Sequence, residues 1–435
     1  MIRRAASPFR VSALAMAAAL GAGLAGVPAF APAHAADAPA KDAVLAAYAD
    51  IARASYGDSL TSARSLRDAL AALVAEPSAA TMQAARDAWL AARVPYQQTE
   101  AFRFGNAIVD DWEGKVNAWP LDEGLIDYVD GGGTTDENPY AAVNVIANAS
   151  FELSGETVDA SAITPELLSE TLQEADGIEA NVATGYHAIE FLLWGQDLNG
   201  VEAGAGDRPW TDYAKGDDCT GGNCDRRGEY LLAAADLLVS DLEYIVAQWE
   251  ETGEARTTLL GAPDEGITAI LTGIGSLSYG EQAGERMKLG LMLNDPEEEH
   301  DCFSDNTHNS HYYDGMGMRN VYTGRYVGID GTITEGPSVS ELVAASDPEA
   351  DAAMREALDR SMQALGDIKT AAEGGFSYDM MLARGSAEGE ALIGGAVEAL
   401  VAQTRAVERA VAALALEPIA IEGSDSLDNP NAVFQ

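Results

Sequence analysis

The sequence predicts an all-α protein made of two packed helical bundles. Long alanine- and leucine-rich stretches place apolar residues three or four positions apart, which puts them on one face of a helix. Alternating, strand-like segments are few, and no repeat of the solenoid type is visible. Hydrophobic residues make up 47% of the 435 residues, enough for a large core. The predicted bundles span residues 36–255 and 256–420, followed by a tail at 421–435.

Proline and glycine positions divide the helical pattern into elements. The first helix ends near Pro77, and Ser78 or Thr81 can cap the second. Pro165 suits the first turn of another helix. We expect residues 141–163 to be irregular and residues 196–227 to form a surface loop. The predicted long helices cover residues 36–76, 81–104, 229–251 and 265–293, with several more between 338 and 417. Helical character is also expected to continue from Pro165 into a helix that ends at Gly195.

The N-terminus has the features of a secretory signal peptide. A basic start with Arg3 and Arg4 precedes an apolar stretch at residues 11–27, and the small-x-small site at residues 33–35 predicts cleavage after about Ala35. No later stretch is apolar for long enough to span a membrane. The protein is therefore expected to be exported, with its mature form in the periplasm.

The charge of the chain bears on its partners. Its formal charge is −44, which argues against nucleic acid as a partner, because a phosphate backbone requires a basic surface. Cations are compatible with this charge, although most of the carboxylates are expected only to solvate the surface.

Three cysteines remain after the predicted cleavage. Cys219 and Cys224 flank a short glycine loop, and an oxidising compartment predicts a local disulfide between them. Cys302 is left over, and we interpret it as a buried free thiol.

The second helix carries a stripe of hydrogen-bonding side chains where a core stripe would be aliphatic. Pro95 lies within this stripe and predicts a kink. The stripe is either a solvated face with ion pairs or a polar site between helices. Its members are Trp89, Arg93, Tyr96, Glu100 and Arg103.

The helix at residues 185–194 places two ionisable groups in apolar surroundings. His187 and Glu190 are three residues apart and therefore share one face. Burying them without partners would cost roughly 2–7 kcal/mol for each unbonded polar group. A metal ion is a candidate partner.

A second stretch, residues 295–311, holds three of the four histidines that follow the signal peptide. A catalytic zinc site normally has three protein ligands, so a third must join His187 and Glu190. The candidates are Glu100 from the polar stripe and three residues of this second stretch: His300, Asp305 and His308. Imidazoles with carboxylates suit iron or zinc, or calcium if oxygen atoms dominate.

Motifs for other chemistries are missing from the sequence. It contains no Gly-x-Ser-x-Gly elbow, P-loop or dinucleotide fingerprint, and the His187 motif is not H-E-x-x-H.

The run from Gly185 to Glu190 resembles the G-x-H-x-x-E signature of the imelysin family, which includes insulin-cleaving metallopeptidases and a branch of iron-regulated proteins. Residues 95–104, 117–123 and 300–308 resemble that branch as well. The resemblance implies an all-helical fold of two bundle-like domains with the signature helix near their interface, export, and a link to iron acquisition. It also implies His187 and Glu190 as the core of a metal site.

Three functions are compatible with these features. The first is periplasmic binding of iron, as an ion or a chelate, linked to uptake by a membrane system. The second is a zinc metallopeptidase that uses a metal-activated water. The third is an interaction module without metal, in which His187 and Glu190 form a structural pair.

Overall fold

The computed structural model describes residues 38–131 and 138–434. The predicted signal peptide, residues 1–35, lies outside this range. The fold class is confirmed, because helices make up nearly all of the regular structure in the described range. The α-helices are α1 Lys41–Ala75, α2 Ala79–Gln97, α3 Ala107–Glu113, α4 Glu123–Ile126, α5 Gly185–Trp194, α6 Cys224–Gln248, α7 Glu254–Gly261, α8 Pro263–Ser276, α9 Leu289–Leu293, α10 Thr307–Thr323, α11 Val339–Ser346, α12 Pro348–Glu373, α13 Tyr378–Leu382, α14 Ala387–Ala413 and α15 Asp425–Asp428. Short 3₁₀ and π-helical turns lie between some of them. The turn after Pro165 is a π-helix, Leu167–Leu172, and residues 178–184 are not helical, so the helical run predicted from Pro165 does not continue into α5.

Two short antiparallel hairpins are the regular structure that the sequence did not predict. β1 Ser150–Leu153 pairs with β2 Glu156–Asp159, and β3 Arg325–Val327 pairs with β4 Ile333–Glu335. Each strand has only three or four residues, too few for an alternating pattern to stand out in the sequence.

The helices pack around one continuous set of buried apolar residues. α1 lies against α2 and α6, α10 lies between α2 and α12, and α12 packs on α14. α7, which spans the predicted boundary at residue 255, and α8, which follows it, also contact α1. Helices from both predicted bundles therefore share this core, and the boundary itself stays a prediction. None of the helices in the described range is long and apolar enough to cross a membrane.

The ends of several helices follow local chemistry. Ser78 caps α2, because its hydroxyl accepts a hydrogen bond from the Thr81 N–H at 3.2 Å. α2 ends at Gln97 and not near residue 104, shortly after Pro95, which cannot donate a backbone hydrogen bond. α6 begins at Cys224, before the predicted start at residue 229, because Arg227 in its first turn is buried against Asp127.

The long helix near residue 280 is not regular throughout. α8 and α9 are joined by a π-helical segment, Leu277–Lys288, with right-handed backbone at both junctions. Wide helical turns of this kind are frequent at functional sites. This segment brings Gln282 and Arg286 into the interior.

The predicted disulfide is present. Cys219 and Cys224 are bonded, with their Cα atoms 6.0 Å apart, at the start of α6. Cys302 is free and partly buried.

Candidate functional site

The site is built on α5, and all ten residues of this helix are buried. Gly185 begins the helix with a left-handed φ of +79° and lies directly against the backbone of Val116. The next N–H, from Tyr186, donates to the Val116 carbonyl at 2.8 Å. Gly195, with φ +71°, ends the helix as predicted.

His187 and Glu190 are hydrogen-bonded to each other inside the protein. His187 Nδ1 lies 3.0 Å from Glu190 Oε2. The other carboxylate oxygen accepts hydrogen bonds from the Ser304 N–H at 3.0 Å and from its hydroxyl at 2.6 Å. His187 Nε2 is buried and has no partner. A carboxylate that accepts from Nδ1 leaves the lone pair on Nε2, which is how a metal-binding imidazole is commonly oriented.

His300 and Asp301 face the free side of His187. The rings of His187 and His300 meet edge to face, with centroids 4.8 Å apart. One ligand atom from each of His187, His300 and Asp301 lies within 4.8 Å of the other two. His300 Nδ1 is buried without a partner, while its Nε2 lies 3.4 Å from the Asn117 amide nitrogen. Two unpartnered ring nitrogens beside a carboxylate are a donor set that fits a borderline metal ion such as iron or zinc.

Asp301 is held by charge and hydrogen bonds. Arg93 donates to Asp301 Oδ1 at 2.7 Å and to Asn117 Oδ1 at 2.6 Å. Asp301 Oδ2 accepts from the Asn306 amide at 2.7 Å and from the Ser310 hydroxyl at 2.5 Å. The carboxylate is therefore held from two sides, by Arg93 of α2 and by the residues that closely follow Asp301 in the chain.

Aromatic rings surround the Arg93 guanidinium. Its central carbon lies 5.5 Å from the ring of Trp89, 5.6 Å from Tyr96 and 5.2 Å from Tyr186. Trp89, Arg93 and Tyr96 are all buried, as is Glu100 further along the stripe. Of the two interpretations of the polar stripe, the structure selects the site between helices.

Burial and charge keep the two imidazoles neutral. Burial, followed by the charge of Arg93, lowers the pKa of His187 to about 3, and burial lowers the pKa of His300 well below its usual value. Burial raises the pKa of Asp301, but Arg93 and the surrounding hydrogen bonds outweigh it and hold that pKa below its usual range. Neutral imidazoles and an ionised carboxylate are the forms that bind metal ions.

The pKa of Glu190 is shifted in the opposite direction. Burial, and then the charge of Asp301, raise the pKa of Glu190 well above its usual value, although Ser304 works against the shift. An ion bound beside His187 would favour the ionised form of Glu190, so ion binding is expected to release a proton.

Comparison with known proteins identifies the family. The family model described as imelysin (peptidase M75) matches residues 52–407. The chain belongs to the imelysin family. Two solved structures share its fold: a protein described as an iron-regulated protein A precursor from Parabacteroides distasonis and an imelysin-like protein from Psychrobacter arcticum. The Parabacteroides structure has a TM-score of 0.62 and 20% sequence identity, and the match covers 87% of this chain and 96% of that structure. The Psychrobacter structure has a TM-score of 0.54 and 16% identity, and the match covers 87% of this chain and 98% of that structure.

A curated relative is similar over a shorter stretch. Iron-regulated protein A of Synechococcus elongatus is 40% identical over 68 residues, which are 16% of this chain and 19% of the relative. The match therefore spans about a fifth of that relative.

Each fixed position of the imelysin signature in this chain has a physical role. Gly185 allows the backbone to approach Val116, His187 contributes a ring nitrogen to the cluster with His300 and Asp301, and Glu190 is hydrogen-bonded to His187 Nδ1. Glu190 thus lies one layer outside the three-residue cluster, and its predicted role as a direct ligand stays a prediction.

The glycine of the signature can be tested separately from the chemistry. A Cβ on Gly185 would lie 2.5 Å from the Val116 carbonyl oxygen, and φ there is +79°. We expect Gly185→Ala to reduce the free energy of unfolding by about 2–4 kcal/mol, from the left-handed backbone and the overpacking together. Urea unfolding measures this change. Gly57→Ala is the control: it lies within α1 with open space around it, so it should be neutral or slightly stabilising. Equal effects at the two positions would contradict this account.

Glu100 is buried in a different cluster. Its Oε2 accepts from Arg286 at 2.7 Å, and Arg286 also pairs with Asp314 at 3.2 Å and with Glu281 at 2.7 Å. The structure gives Glu100 a guanidinium partner and does not place it among the ligand atoms around His187. Its role as a metal ligand stays a prediction.

Asp305 and His308 also lie apart from His187. Asp305 is grouped with Asp197 and Asp379. His308 Nε2 lies 3.0 Å from the Asn309 amide nitrogen. Burial, and then the charge of Lys369, lower the pKa of His308 to about 4. Of the six predicted ligands, the structure brings together His187, Glu190 and His300.

Asp301 and Asn117 were not among the predicted site residues, and Arg93 was predicted only as a member of the polar stripe. Asp301 follows His300 directly, and Asn117 begins one of the blocks that resemble the family. The adjacency of Asp301 to a predicted ligand was the available signal. The sequence could not show that Arg93, more than 200 residues earlier, forms an ion pair with Asp301.

His311, the fourth histidine, provides a test of the electrostatics outside the cluster. It is buried with neither ring nitrogen partnered, and burial, followed by the charge of Arg286, lowers its pKa to about 3. Below the unfolded pKa of about 6.5, the unfolded chain binds a proton that the folded chain does not. The stability contributed by neutral His311 is therefore complete above that pH and is lost as the pH falls toward 3.

We expect the wild type to lose about 2–3 kcal/mol more unfolding free energy than His311→Gln between pH 7.5 and 4.5. Urea unfolding at several pH values measures the difference. Buried carboxyls with raised pKa values, such as Glu113 at about 7, change stability in the opposite direction, but they are common to both proteins and cancel. Parallel pH profiles would show that His311 titrates normally in the folded protein.

Proposed function

We propose that this protein is an exported, periplasmic binding protein that takes up one iron ion at His187, His300 and Asp301. In this proposal Glu190 orients His187, and Arg93 with Asn117 positions Asp301. The iron is cargo, and its onward transfer to a membrane uptake system is the proposed role. The name of the Synechococcus relative, iron-regulated protein A, supports a connection with iron.

Enclosure of the site is the observation that carries this proposal. His187, Glu190, His300 and Asp301 are each exposed by 2% or less. A cavity of about 250 Å³ is lined by three partners of Asp301, namely Arg93, Asn306 and Ser310, but not by His187 or His300. Slow, tight binding is expected as a result.

The zinc metallopeptidase is the second candidate, and the description of the matching family favours it. A peptidase requires room for a polypeptide beside the metal, an open coordination position and a free general base. Glu190 is engaged on both oxygens, by His187 and by Ser304, and the ligands are closed off by protein. These features support binding of an ion over cleavage of a peptide.

Metal titration of the purified protein without a histidine tag tests the proposal. We expect about one iron ion per chain and no cleavage of unfolded insulin B chain in the presence of added zinc. Chelator-sensitive cleavage with zinc would establish the peptidase. Binding of neither metal would leave the His187–Glu190 hydrogen bond as a structural pair, as in an interaction module.

A further inference from the structure

A second cluster of oxygen ligands lies beyond the end of α5. Carboxylate oxygens of Asp197, Asp305 and Asp379 lie within 4.8 Å of one another. Asp197 follows α5 by three residues, Asp305 precedes α10, and Asp379 belongs to α13. Three segments that are distant in the chain therefore bring carboxylates to one place.

The buried carboxylate of Asp379 is not satisfied by the side chains and backbone groups that the structure describes around it. Asp379 is 1% exposed, and neither of its oxygens accepts a hydrogen bond of normal geometry from the part of the chain that the structure describes. The Ser377 hydroxyl and the Met380 N–H are close enough to act on its charge but do not satisfy it. Because its oxygens are grouped with those of Asp197 and Asp305, this buried, unpartnered group points into the cluster. Burying an uncompensated carboxylate is costly, so such groups are usually paired or bound to a metal ion.

Two further observations indicate a cation. Glu299 is also 1% exposed, and within the described ranges neither of its oxygens accepts a hydrogen bond of normal geometry, although the Thr307 hydroxyl is close enough to act on its charge. It is close enough to interact with all three aspartates. None of the ion pairs found within residues 38–131 and 138–434 involves any of these four acids. By contrast, the buried carboxylates Asp127, Glu100 and Asp301 each have an arginine.

The chemistry of the cluster differs from that of the histidine site. All of its candidate ligands are oxygen atoms, which hard cations prefer, and no imidazole takes part. Calcium binds oxygens at about 2.3–2.6 Å, so two ligands on opposite sides of one ion are about 4.6–5.2 Å apart. The three aspartate oxygens, which lie within 4.8 Å of one another, are therefore spaced closely enough to bind one calcium ion without large movements of the chain. Asp197 Oδ1 already accepts from the Asn199 side chain at 2.7 Å, which orients this carboxylate.

We propose that Asp197, Asp305 and Asp379, with Glu299 beside them, form a calcium site that joins the loop after α5 to the segment before α10 and to α13. This segment, residues 299–306, also carries His300 and Asp301. Calcium would therefore hold in place the part of the chain that completes the histidine site. The calcium site does not depend on the proposed iron binding.

Calorimetric titration of the chelator-treated protein with Ca²⁺ tests this proposal. We expect one Ca²⁺ per chain with a dissociation constant below about 1 mM. Saturating Ca²⁺ should raise the melting temperature by about 2–5 °C. Asp379→Asn should weaken Ca²⁺ binding at least tenfold and, without Ca²⁺, should raise the melting temperature, because it removes charge repulsion. If Asp379 had a purely structural role, Asp379→Asn would instead lower the melting temperature.

Two controls separate this site from the histidine site and from general acidity. His187→Ala should bind Ca²⁺ as the wild type does, so a failure of the iron proposal leaves this result intact. Asp217→Asn makes the same change at an exposed position and should have no effect. Asp197→Asn, at a less buried position, replaces Asp379→Asn if the latter does not fold. Absence of Ca²⁺ binding at millimolar concentration, unchanged binding in both site variants, or occupation of this cluster by iron in preference to Ca²⁺ would overturn the proposal.

Discussion

Replacing His187 by alanine is expected to weaken iron binding by more than about 100-fold. His187 would supply one of two imidazole ligands beside Asp301, and its Nε2 has no hydrogen-bond partner among the described residues. Changes in outer-shell partners alone typically cost about 10–100-fold, so loss of a direct ligand should exceed that. Equilibrium dialysis against iron, with circular dichroism to verify the fold, measures the effect.

His308→Ala and Glu100→Gln are the matched controls for that result. His308 lies beside Asn309, and Glu100 pairs with Arg286, so neither should change iron affinity if the ligands are those grouped around His187. A tenfold or larger loss in either variant would restore that residue to the ligand set. A lower melting temperature in His187→Ala with unchanged iron binding would favour the interaction module.

Replacing Arg93 by methionine is expected to reduce the free energy of unfolding by about 3–5 kcal/mol. This change removes the only charge partner of Asp301 among the ion pairs of the described residues, and both side chains are 1% exposed or less. Breaking a buried ion pair on one side leaves an uncompensated charge, which costs more than the pair itself contributes. The pKa of Asp301, which Arg93 now holds below its usual range, should rise. Urea unfolding at neutral pH measures the loss.

A double-mutant comparison identifies the cause of that loss. Arg93→Met with Asp301→Asn should be destabilised by less than the sum of the two single variants, because neither charge is then left alone. Arg64→Met is the control for the substitution: Arg64 pairs with Glu243 at 2.6 Å, but both side chains are more than half exposed. Exposed pairs contribute about 0–1 kcal/mol. Similar losses for Arg93→Met and Arg64→Met would contradict the role assigned to burial.

Some features of this site can be predicted from the sequence, and others cannot. His187 and Glu190 were predicted to share a buried helical face, because their spacing and the apolar residues around them are local features. For the polar stripe of Trp89, Arg93 and Tyr96, the sequence left two interpretations open. Helical spacing places residues on a common face, but whether that face meets water or another helix depends on segments elsewhere in the chain.

The sequence by itself determined the helical class, the end of α5 at Gly195, a cap for α2 at Ser78 or Thr81 and the disulfide between Cys219 and Cys224. These features arise from contacts between residues a few positions apart. Only the tertiary structure decided that Asp301 joins His187 and His300, that Glu100 pairs with Arg286, and that Asp305 meets Asp197 and Asp379. Apart from the neighbours His300 and Asp301, these partners are about 70 to almost 190 residues apart. The packing of whole helices sets the distances between them, and periodicity carries no information about which faces meet.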